Sequence, residues 1–129
     1  MICIKNTIII SALFLILICF IYSWENSTIK LLKDIEKTAD KLELQFNSKD
    51  YESATKTSNE LYDFWESKVI YLEMILNHSD VNVLTEEILK LTQYSKEKAD
   101  PDGLASIHYI KSLVNRMMNI HRISIQNIL

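Results

Sequence analysis

Three histidines, His78, His108 and His121, are the only imidazoles in the 129-residue chain, and metal or proton chemistry would have to begin with them. Helical bundles that hold two metal ions draw ligands from Glu residues and from Glu-x-x-His pairs, which place two donors on one helix face. The chain contains no Glu-x-x-His. An antiparallel helical layout would bring His78 and His121 to a similar height, where the sharp reading is a weak metal site or a pH-sensitive pair. The plain reading is preferred: His78 at a helix C-terminus, where a ring donor meets free carbonyls, and His121 as a half-buried helix residue. Cys3 and Cys19 lie before or within an apolar run, so the remainder has no thiol for a bridge, a zinc site or a nucleophile. There is no serine elbow and no glycine-rich phosphate loop, and acids such as Glu86 and Glu87 read as a solvated face. The expectation is a chain without enzymatic activity, with no catalytic residue, no metal ligand and no cofactor.

Two further groups have a functional and a plain reading. Tyr62, Phe64 and Trp65 suggest an aromatic box, yet aromatics at helical spacing are more often core. Met117 and Met118 offer an adaptable partner surface, although filling an irregular core gap is the commoner use. Charge is segregated: residues 103–129 hold Lys111, Arg116 and Arg122 and no acid, whereas residues 25–102 hold seventeen acids against ten lysines. That asymmetry either holds the last segment against an acidic neighbour, such as the stretch bearing Glu52, Glu60, Asp63, Glu66 and Glu73, or leaves a basic strip for anionic lipid. The net charge of −3 argues against nucleic acid as the main partner, because phosphate binding needs a positive field.

The elements that position these residues start from Asn6–Trp24, nineteen residues without a charge. As a helix the run reaches roughly 28 Å, close to the hydrocarbon thickness of a bilayer. Phe20-Ile21-Tyr22-Ser23-Trp24 puts bulk where a cleavage site needs small residues, and Ile18 before Cys19 does not suit a lipoprotein signal. A prepilin-type start is also missing. The run therefore reads as an uncleaved signal anchor, residues 1–24, followed by a soluble domain, residues 25–129. Lys5 and the amino terminus precede the span and Glu25 follows it, which favours an inside amino terminus and a domain outside the cytoplasm. Tyr22 and Trp24 would then sit at the outer interface.

One Gly and one Pro in the whole chain leave little turn punctuation, so the fold class is all-α. Apolar residues spaced three or four apart mark four helices. The first carries Leu31, Leu32, Ile35, Ala39, Leu42 and Phe46. After Asn47-Ser48-Lys49-Asp50, with Ser48 or Asp50 as cap, the second carries Ala54, Leu61, Phe64, Trp65, Leu72, Ile75 and Leu76, with Lys68 inside the stripe. The third follows Asn77-His78-Ser79-Asp80 with Val81, Leu84, Ile88, Leu91 and Tyr94. Asp100-Pro101-Asp102-Gly103 is the strongest breaker, and the fourth presents Leu104, Ile107, Ile110, Val114, Met117, His121, Ile125 and Ile128. Short connections predict an up-down-up-down bundle of four helices. The alternative is a three-helix core with residues 25–46 as a stalk.

Trp24 after the span, the Phe64-Trp65 pair, the Asn77-His78-Ser79-Asp80 turn and the ending Ser124-Ile125-Gln126-Asn127-Ile128 give the chain a further meaning. On these residues it resembles a family of short clostridial membrane-anchored helical proteins catalogued as domain of unknown function 4363. The resemblance implies a membrane protein of spore-forming anaerobes, no enzymatic activity, and an accessory role beside a multi-pass membrane protein. The expected function is thus a single-pass interaction module for a membrane or envelope partner. A ligand-sensing bundle is the second reading: a cavity between helices would favour sensing, and an exposed apolar face would favour assembly.

Overall fold

The computed structural model describes residues 1–128, leaving aside the side chains of Glu25, Ser124, Ile125 and Ile128. Four helices follow one another: α1 (Ile2–Asn47), α2 (Tyr51–Ile75), α3 (His78–Glu97) and α4 (Asp100–Ile128). No strand occurs among the described residues. The chain divides into two compact units, residues 1–31 and residues 32–129.

The first unit is helix alone. Consecutive residues of a helix point about 100° apart, so Leu13, Phe14, Leu15, Ile16 and Leu17 together cover its whole girth. Each is more than half exposed. Phe20 and Trp24 stack edge-to-face with centroids 5.4 Å apart.

The second unit is an up-down-up-down four-helix bundle. Residues 32–47 of α1 contribute Leu32, Ile35, Ala39, Leu42 and Phe46 to its core, all essentially inaccessible. This helix belongs to the bundle and the stalk alternative falls away. Trp65 is the largest fully buried side chain, and its indole Nε1 donates to Thr85 Oγ1 at 2.7 Å, which ties α2 to α3. Opposite Trp65 and Leu72, α3 supplies Val81, Leu84, Ile88 and Leu91, and α4 supplies Ile107, Ile110, Val114 and Met117. The backbones of α2 and α3, and of α3 and α4, make the closest approaches.

The connections follow from local chemistry. Lys49, at φ 58°, turns the chain after α1, and Asp50 caps α2 by accepting from the Ser53 N–H at 3.3 Å. Asn77 caps α3 by accepting from the Ser79 N–H at 2.8 Å. Lys98 closes α3 in the left-handed region at φ 56°.

Three expectations need correction. His78 opens α3 instead of closing α2, because Asn77 outcompetes the following residues as a cap. The break between α3 and α4 falls at Lys98-Ala99, just before the expected breaker, and Asp100-Pro101-Asp102-Gly103 itself forms the first turn of α4, where proline lacks only an N–H that has no helical partner. Lys68 is exposed; the buried positions nearby are Leu61, Trp65 and Leu72, and the helix presents Lys68 to solvent.

Candidate functional site

The residues with chemical potential are dispersed. His78 is exposed on the first turn of α3, and His121 is half-buried on α4. His108, exposed on α4, has its Nε2 3.7 Å from Glu43 Oε1 on α1. Among the described residues no three His, Cys, Asp or Glu side chains converge as metal ligands. Trp65 is core, while Tyr62 and Phe64 are half-buried beside it; Met117 and Met118 are both buried.

The acid-free stretch of α4 is used in pairing. Lys111 Nζ lies 2.6 Å from Asp40 Oδ1 and 3.1 Å from Glu43 Oε2, both on α1. The hydrogen bond that Lys111 donates to Asp40, then that to Glu43, raises the lysine pKa above its ordinary value. Arg116 Nη2 lies 2.8 Å from Asp80 Oδ1 on α3. The acidic neighbours are thus α1 and α3. Helix α2, which carries most of the acids expected to pair with α4, sits diagonally across the bundle and meets neither cation in these contacts. Sequence periodicity could not tell an adjacent helix from a diagonal one.

At the end of the bundle that carries the two left-handed turns, a polar knot joins the α1–α2 and α3–α4 connections. Asp100 accepts from the Tyr51 hydroxyl at 2.7 Å and from Lys49 Nζ at 3.1 Å. The Tyr51 hydrogen bond, then that of Lys49, holds the Asp100 carboxyl below its ordinary pKa. Tyr51 and Lys49 are both raised, in each case chiefly by the hydrogen bond with Asp100. Beneath the knot Gly103 is buried against the Phe46 ring. Sequence reading missed this cluster, since its members are 49 to 57 positions apart.

Among the described residues, two kinds of surface bear on sensing and assembly. One is a groove between α1 and α2 of about 200 Å³, floored by Leu61 and Phe64 and edged by Asp34, Lys41 and Glu60. The other is exposed apolar side chain. On α2, Ile70 is 73% and Met74 76% exposed, four positions apart and so on one face. On α4, Ile120 and Ile123 are more than half exposed.

These features define a class: an all-α, four-helix domain preceded by a helical run long and apolar enough to cross a membrane by length and composition. Residues 22–128 match the profile of one family, and the chain belongs to it: a domain of unknown function, DUF4363. No curated protein and no solved structure matches the chain.

Proposed function

We propose that the chain is a single-pass membrane protein whose bundle serves as a non-catalytic interaction module for a protein partner in the same membrane or envelope. The observation that carries this reading is the apolar girth of residues 8–22, whose large side chains are exposed all round. Water would not tolerate so continuous an apolar surface, and hydrocarbon satisfies it. With Lys5 and the amino terminus inside, the bundle stands outside the cytoplasm. Ile70 and Met74 on α2 are the contact for the partner: a membrane protein with a complementary apolar patch.

The sensing reading rests on the α1–α2 groove, because the larger cleft of about 430 Å³ beside Lys49, Tyr51, Ser95 and Lys98 is open and lined mostly by polar side chains. At about 200 Å³ the groove falls below the usual size of small-molecule sites, and charged side chains edge it. Assembly is therefore preferred. A photoreactive residue in place of Met74, activated in native membranes, should give one discrete protein adduct, and Ile70→Glu in the same chain should abolish it. Adducts to lipid alone, or an adduct indifferent to Ile70→Glu, would contradict the partner contact.

A further inference from the structure

We infer that the last turns of α4, from Ile120 onward, rest in the headgroup zone of an anionic bilayer. The inference builds on the proposed membrane anchor and assigns a second, independent contact with the same membrane.

The register within the bundle comes first. Ser106 meets Glu87 and Arg116 meets Asp80, so α4 runs antiparallel to α3 and passes the first turn of α3 at position 116. Helix α3 begins at His78, yet α4 continues to Ile128, twelve residues or about 18 Å beyond Arg116. The α3-facing stripe of α4 runs through Ser106, Leu113 and Met117, all buried, and its periodicity continues to Ile120. By then α3 has ended. Ile120, 52% exposed, lies on a stripe that is buried one turn earlier at Met117, and Ile123, 56% exposed, lies on the adjacent solvent-facing side with Arg116 and Asn119. Ile120 also borders a small apolar hollow with Leu76 and Met117 under the α2–α3 turn.

Charge and connectivity name the occupant. Residues 103–129 carry no acid, and exposed Arg122 flanks the isoleucines, a pairing of apolar and cationic side chains that suits an anionic lipid surface. Lys111 and Asp40 are paired, and so are Asp100 and Lys49, so the C-terminal end of α4 lies at the end of the bundle where Leu32 enters. Only seven residues separate Trp24, the end of the apolar run, from Leu32. Even fully extended they span at most about 29 Å, so this end of the bundle cannot leave the neighbourhood of the bilayer.

The test uses the full-length chain with Cys3→Ser and Cys19→Ser, reconstituted in vesicles of phosphatidylglycerol and phosphatidylcholine. A spin label is carried on cysteine in place of Leu13, Tyr109 or Ile123, and collisions with oxygen and with a neutral nickel chelate are measured. Expected are hydrocarbon at 13, water at 109, and at 123 a chelate collision rate several-fold below that at 109 with oxygen collisions undiminished. In phosphatidylcholine alone the difference between 123 and 109 should shrink. Hydrocarbon at 13 with water at 123 overturns the inference alone. Low collision rates for both reagents at 123 mean contact with protein and overturn it too, whereas water at 13 overturns the anchor and this inference together.

Discussion

Phe46 and Gly103 show how one residue type can be fixed by a contact that no local pattern announces. A Cβ on Gly103 would lie 2.7 Å from Phe46 Cζ, and the ring is 1% exposed and stacked edge-to-face on Tyr51 at 6.1 Å. Alanine normally favours a helix over glycine by about 1 kcal/mol. Here Gly103→Ala should instead destabilise the protein by about 1–3 kcal/mol, the usual cost of overpacking, and Phe46→Leu should remove most of that penalty in a double-mutant cycle followed by urea unfolding. At Trp65 the expectation is a loss of about 3–5 kcal/mol for Trp65→Ala, because a fully buried aromatic leaves a cavity and its Thr85 acceptor loses a donor. The knot at Asp100 adds a pH signature. Its depressed carboxyl stabilises the fold above the ordinary carboxylate range, near pH 4, and that contribution is lost as pH falls through the lower folded value. Raised Lys49 and Tyr51 contribute below their ordinary values and lose the contribution as pH rises past them. Asp100→Asn should therefore be less stable than the parent at neutral pH, with the difference shrinking as acid is added; a constant difference down to pH 2 would contradict the knot.

The helices and most of their inward faces were legible in the sequence because a period of three to four is a local property. Leu32, Ile35, Ala39, Leu42 and Phe46 were all expected inside and are inside. The buried hydroxyls were not foreseen: Ser58, Thr92 and Ser95 lie on inward faces, each satisfied by a carbonyl of its own helix at 2.6–3.0 Å. A polar residue that bonds backward along its helix leaves no signal in a hydropathy pattern. Helix starts were legible to within a turn, and the error at His78 came from the competition among four adjacent cap-forming residues. Left-handed closure by lysine was invisible, since nothing marks Lys98 as a glycine-like position. An L side chain there costs roughly 1 kcal/mol, so Lys98→Gly should raise the unfolding free energy by about that amount in the denaturation assay. No gain would mean that the lysine side chain offsets its backbone.

At the scale of the whole molecule, pairing between helices and the choice of neighbours decide what the surface offers, and these are the features that sequence leaves open. The cations of α4 were visible, but their partners on α1 and α3 required the bundle's handedness and register. The polar knot and the exposed Ile70, Met74, Ile120 and Ile123 emerged only once burial was known. The apolar run could be read directly, because its length and lack of charge need no tertiary partner to be meaningful. Everything proposed about function depends on that run lying in a bilayer. Alkaline carbonate extraction of membranes bearing the full-length chain tests it most directly: the protein should stay with the membrane pellet and keep its original amino terminus. Release of the chain into the wash, or a mature terminus near Trp24, would contradict the account.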